Sequence, residues 1–254
     1  MNKIIALIIL PLALIGCGGG DSTELNETSN SSAPPPETAP PPEGTTTTTG
    51  TAKRGIITGF GSVFLDGERY NTDSTNIVIN GREGQSIESL RVGMNINLVS
   101  DEGGETLSAQ QIEYDSGLKG FVQSIDRVNQ FITVSGVEVF YDDLTHFIAI
   151  SLASLSVGDR VEVSGYALVD GQFQATYIEK ESDTDNGENE YITVLIQNLD
   201  LDNMRFSIGS VSVDYSNSRV EGALANQVLV KVEGTFNDND FVAIEVEVEN
   251  YDNH

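Results

Sequence analysis

"LSVGDRVEVSG", residues 155–165, passes through a Gly-containing turn into a run that alternates apolar and polar side chains, and the chain writes this pattern three times. "LRVGMNINLVS" stands at 90–100 and "LANQVLVKVEG" at 224–234. In each copy a Leu precedes, by six residues, an aliphatic residue of the alternating run: Ile96, Val161 and Val230. Downstream come "TLSAQQIEYD", "GQFQATYIEK" and "NDFVAIEVEV". Each sets an Ala (Ala109, Ala175, Ala243) three residues before Ile112, Ile178 or Val246, followed by Glu113, Glu179 or Glu247. Upstream, Gly136 and Gly209 lie nine residues before Thr145 and Ser218, and Gly67 lies eight before Thr75. Self-similarity at a period of about sixty residues marks an array of like units. Their bounds are 55–115, 116–181 and 190–254, with an acidic linker at 182–189.

Every unit reads as β. "FITVSGVEVF" (131–140) and "IEVEVEN" (244–250) alternate with period two, which buries one face of a strand. Asp66-Gly67, Asn80-Gly81 and Asp170-Gly171 are hairpin dipeptides, where Gly reaches positive φ without a Cβ penalty. Helical candidates are short turns only, "QSIESL" (85–90) and "AISLASL" (149–155). Phe173 and Ala175 share a parity that Ile178 breaks, and the break recurs around Ala109 and Ala243. A repeated parity flip inside a strand implies a β-bulge, a device for closing a small sheet. The expected fold is all-β: tandem small antiparallel β-barrels, OB-like, or sandwiches, following a disordered N-terminal stalk. Units of about sixty residues sit near the lower limit for an independent core, so they are expected to pack together or share strands. "TGFGSVFLDG" (58–67) fits this scheme as a strand, a turn and a second strand. A dinucleotide fingerprint would need its third Gly earlier and a helix after it.

The N-terminus has a different character. Lys3, the apolar run 4–15 and a small-residue close form a secretory signal peptide over residues 1–16. "LIGC" (14–17) resembles the lipobox of bacterial lipoproteins, in which the chain is cut before the Cys and acyl chains are attached there. The resemblance implies lipidation at Cys17, the sole cysteine of the chain. Several acyl chains hold a membrane stably where one does not. Gly18 in place of Asp implies, by analogy with lipoprotein sorting, the outer membrane, facing periplasm or cell surface. Residues 17–54, with "APPPETAPPPEGTTTTTGT" at 33–51, have no apolar period and read as a flexible linker.

"GIITGFGSVFLDGERYNT", "LRVGM", "GFVQSIDRVNQFITVSGVEVFYDDLT", "SLASLSVGDRVEVSGY" and "FQATYIE" together resemble domain-of-unknown-function family 5666, found in bacterial lipoproteins. The resemblance spans residues 55–180 and is weaker over 190–251, where Gln227 replaces the Gly seen at Gly93 and Gly158. It implies a β-rich exported lipoprotein and transfers no catalytic residue.

The chemistry available is limited by composition. The 39 acidic residues against 13 basic ones give a net charge of −26 over 254 residues, a field that repels phosphate backbones, so no nucleic-acid partner is expected. The two histidines, His146 at a strand end and His254 at the C-terminus, supply no base for a nucleophile, and no catalytic residue, cofactor or metal ligand set is assigned. "DTDNGENE" (183–190), with Asp183, Asp185, Glu188 and Glu190 around Gly187, could ligate Ca²⁺ or serve as a polar linker. "DLDN" (200–203) and "NDND" (237–240) share its composition. The leading expectation is a non-catalytic binding or structural module of the cell envelope, held to the bilayer through acylated Cys17, with an unknown envelope protein or glycan as partner. The alternatives are a carboxylate-dependent hydrolase of glycan or envelope polymer and a calcium-stiffened adhesion module.

Overall fold

The three alternating runs become strands that close on themselves three times. A computed structural model of the chain describes residues 50–101, 107–182, 189–237 and 240–249. The signal peptide, Cys17, residues 18–49 of the linker and the 183–188 part of the acidic loop lie outside the described residues, whereas residues 50–54, expected as linker, instead begin a paired strand, Gly50–Gly59.

Barrel 1 consists of β1 (Gly50–Gly59), β2 (Val63–Leu65), β3 (Glu68–Asn71), β4 (Asn76–Ile79), β5 (Asn95–Asp101) and β6 (Leu107–Tyr114). Antiparallel pairs β1–β2, β2–β3, β1–β5 and β5–β6, with a parallel β3–β6 pair, complete the ring. β4 lies parallel to the second half of β6. Barrel 2 repeats this with β7 (Leu118–Asp126), β8 (Phe131–Val134), β9 (Val137–Phe140), β10 (His146–Ile148), β11 (Arg160–Ala167) and β12 (Phe173–Lys180). Barrel 3 uses β13 (Glu190–Leu195), β14 (Gln197–Asp200), β15 (Arg205–Ile208), β16 (Val211–Asp214), β17 (Arg219–Glu221), β18 (Leu229–Asn237) and β19 (Asp240–Val248). Here β13 and β14 together stand where one long strand opens the other barrels. This is an OB-like barrel written three times. The expected tandem OB-like barrels are present, and each ring closes through one parallel pair, because the segment after the third strand crosses the barrel end before the chain returns.

The parity flips are bulges. Ser100 faces Ala109 while Val99 faces Gln111, leaving Gln110 extra; Thr176 and Ile244 are extra in the same way. The recurring Thr has a matching role. Thr75 and Thr145 hydroxyls donate to the carbonyls of Ala109 (2.7 Å) and Ala175 (2.9 Å), pinning the crossing segment beside the bulge. Of the two helical candidates, the first contains a 3-10 turn, Ile87–Ser89, and the second has only a turn.

The barrels are joined by burial. β7 pairs with β13 through Lys119↔Tyr191 and Leu118↔Ile192, so barrels 2 and 3 form one continuous sheet with a shared core. Barrel 1 has its own core around Ile57, Leu65, Tyr70, Leu98 and Ile112, yet Tyr177 of barrel 2 is fully buried within it. The turn before β5 docks against barrel 2. Asn95 N–H donates to Ser164 Oγ (2.8 Å), Asn95 Nδ2 to the Gly165 carbonyl (2.8 Å) and the Thr176 hydroxyl to the Gly93 carbonyl (2.6 Å). At Gly93 (φ +96°) a Cβ would come within 2.7 Å of the Thr176 carbonyl oxygen, so only Gly permits this approach.

Candidate functional site

Cys17, the one assigned site residue, lies outside the described residues, as do Asp183, Asp185, Gly187 and Glu188. Glu190, the remaining acid of that group, faces inward. It is buried in β13 and accepts from the Ser135 hydroxyl and from Phe236 N–H (3.3 Å). Asp200 of "DLDN" is absorbed by its own turn, accepting from Asp202 N–H, Asn203 N–H and Asn203 Nδ2 at 3.1, 3.0 and 2.7 Å. Asp126 does the same with Val128 and Asn129, so Asp-x-x-Asn is a turn signature of barrels 2 and 3. These donors hold both carboxyls below the usual carboxylate range, the Asn129 and Asn203 bonds contributing most. His146 is exposed on β10 and packs beside Gly93.

Two cavities concentrate functional groups. The first, of about 560 Å³, lies where all three barrels meet and is lined by Asn80, Lys119, Glu162, Glu181, Tyr191 and Lys231, among others. Glu162 is its most buried carboxyl, with 7% exposure. Tyr114 OH donates to its Oε1 (3.0 Å) and Asn80 Nδ2 to its Oε2 (3.4 Å), both across the joint from barrel 1. Burial pushes the Glu162 carboxyl up to about 7; the nearby Glu181 carboxylate adds to the rise, and the Tyr114 hydroxyl and Lys119 oppose it. Glu181 is ion-paired with Lys119 at 3.0 Å, both side chains largely buried. From barrel 3, Tyr191 shares a short hydrogen bond with Ser116, and Lys231 lies 4.9 Å above the Tyr191 ring. Burial raises the Tyr114 and Tyr191 hydroxyls well above the ordinary phenol range, so both stay protonated donors.

The second cavity, about 500 Å³, opens at one end of barrel 1 between the β1–β2 turn, the residues after β3 and the 3-10 turn. The corresponding ends of barrels 2 and 3 are plugged. Tyr141 and Tyr215, each four residues past the first residue of the third strand, are 4% and 7% exposed. They pack on Phe147 and Phe206 with ring centroids 5.8 and 5.6 Å apart, and their hydroxyls find no hydrogen-bond partner among the described residues. The counterpart in barrel 1 by register is Thr72, which lines the opening instead of filling it.

Sequence reading did not single out either cavity. Glu162 occupies a polar position of "VEVSG" and reads as solvent-facing; in the fold it is covered where the barrels meet, with Tyr114 and Asn80 of barrel 1 bonded to it. The open end left a trace, since comparing repeats shows Tyr, Tyr and Thr at one position.

The family model described as "Domain of unknown function (DUF5666)" matches residues 119–179 and 195–247. Those segments are barrels 2 and 3; barrel 1 lies outside the match. No curated protein matches the chain. Among solved structures, one described as "drosophila Unr CSD456" is similar, with 11% identity over 64% of this chain and 79% of that chain and a TM-score of 0.23. Barrels 2 and 3 are thus each matched, in tandem, by the model of the DUF5666 domain.

Proposed function

We propose that this protein is a lipid-anchored, non-catalytic binding module of the cell envelope, tethered through acylated Cys17 and the segment that follows it, with barrel 1 as its receptor end. The observation that carries the reading is the open end of barrel 1 set against two plugged counterparts. Three barrels sharing buried contacts hold that end on a rigid support, as a preorganised site requires. The signal-peptide pattern, the lipobox resemblance and the acidic charge support an exported, soluble display body. The test is in-cell crosslinking and recovery of the full-length protein, run beside Cys17→Ser and Thr72→Tyr. An envelope glycan or protein whose recovery falls in both variants supports the reading. Recovery of bulk lipoproteins only, unchanged by Thr72→Tyr, counts against it.

A second reading has one observation in its favour: Glu162 and Glu181 line the same polar cavity, and one of them titrates near neutrality, as a hydrolase acid and base would. Against it, both Glu162 oxygens already accept hydrogen bonds from barrel 1, and Glu181 is paired with Lys119. Turnover of envelope glycan that vanishes in Glu162→Gln would favour the hydrolase; an inert wild-type protein would end it.

A further inference from the structure

The end of barrel 1 differs from its counterparts in three ways, each of which opens it. Thr72 replaces the plugging Tyr. The β1–β2 turn carries Gly61 at φ +113° in open space, in place of the side-chain-capped Asp-x-x-Asn turn. Register also makes Phe60 the counterpart of Ile125 and Leu199, which pack partly buried against their own core. In barrel 2 the Arg127 guanidinium reaches across the end to the Leu152 and Leu155 carbonyls, both at 3.1 Å. In barrel 1 the Phe60 ring stands at the lip, 43% exposed.

The lining defines a ligand chemistry. Leu90, itself part of the buried core, and Ile87 provide an apolar floor. Asp73, Glu88 and Arg91 supply charged groups around it. Two carboxylates against one guanidinium, on a chain of net charge −26, reject an anion. A wholly apolar ligand would strip water from those charges with nothing in return. A compact molecule with one C–H face and several hydroxyls satisfies both halves: the face packs on Phe60, and the hydroxyls donate to the carboxylates and accept from Arg91. The volume falls in the range of small-molecule sites, roughly 300–1,000 Å³.

We infer that the open end of barrel 1 binds a neutral sugar ring, stacked on Phe60 and hydrogen-bonded through Asp73, Glu88 and Arg91. The inference rests on the binding-module reading and names the ligand class of that same end.

The test uses ¹⁵N-labelled full-length protein titrated with N,N′-diacetylchitobiose and, separately, maltose, with glucuronic acid as the anionic comparator. At least one neutral sugar is expected to shift resonances of residues 60–62, 71–73 and 87–91 while leaving the plugged ends of barrels 2 and 3 unmoved. Phe60→Ala should weaken binding by about tenfold. Thr72→Tyr, which installs the plug, should abolish it with the melting midpoint of the wild type retained. No shifts with either neutral sugar, shifts that survive in both variants, or tighter binding of glucuronic acid would each overturn the inference. If the envelope partner is still recovered by crosslinking in a Thr72→Tyr-sensitive way while the sugars fail, the binding module stands and the sugar assignment falls.

Discussion

Glu162 makes stability depend on pH in a direction opposite to that of an ordinary paired carboxylate. Its carboxyl is raised from 4.5 to about 7 in the folded protein. The fold therefore favours the protonated form. The favourable contribution is complete below about pH 4.5 and is lost as pH rises through about 7. At about 1.36 kcal/mol per tenfold change in proton affinity, the rise from 4.5 to about 7 corresponds to roughly 3 kcal/mol, a large share of the stability of an ordinary domain. The physical source is the burial of one negative charge near Glu181, only partly offset by Tyr114 and Lys119. Glu162→Gln keeps the size and leaves an acceptor for Tyr114 OH but cannot ionise. Urea unfolding of both full-length proteins should give nearly equal stability at about pH 4.5, with Glu162→Gln gaining up to about 3 kcal/mol by pH 8. Taking the difference removes other titrating groups, including Glu113 and Glu249, which are also raised, chiefly by burial. Parallel pH profiles, or a variant less stable than wild type at pH 8, would refute the reasoning.

Other perturbations separate the joints from the barrels. Gly93 and Gly158 hold the same motif position at φ +96° and +92°, but a Cβ at Gly158 meets nothing within 4 Å. Gly158→Ala should cost only the backbone term of about 1–2 kcal/mol, whereas Gly93→Ala should cost about 2 kcal/mol more, read from denaturant midpoints. Tyr177→Ala removes a fully buried ring from the core of the neighbouring barrel and should cost about 3–5 kcal/mol, with barrel 1 amides losing hydrogen-exchange protection first. Tyr141→Phe and Tyr215→Phe delete buried hydroxyls that lack partners among the described residues and should leave stability unchanged or raise it by up to about 1 kcal/mol in thermal unfolding.

Much of the fold was legible because it is local. Period-two alternation located the strands, and Asp66-Gly67 and Asn80-Gly81 adopt the paired positive φ of tight hairpin turns. The parity break around Ala109, Ala175 and Ala243 announced bulges at Gln110, Thr176 and Ile244. What stayed hidden depends on the neighbouring barrel. Tyr177 and Glu162 both sit at outward-facing positions of their own barrel and are covered where the barrels meet. Likewise, Glu190 was grouped with solvent-facing acids, whereas it serves the joint between barrels 2 and 3. The open end is intermediate. No single residue marks it, because Thr72 is unremarkable alone and informative only beside Tyr141 and Tyr215.

A receptor end held on a rigid support requires the three barrels to behave as one body, and calorimetry of the full-length protein tests this most directly. With the described residues sharing Tyr177, the Glu162 joint and the β7–β13 pair, one transition is expected whose calorimetric and van't Hoff enthalpies agree. Separate transitions for the barrels, with a calorimetric enthalpy about two to three times the van't Hoff value, would contradict it.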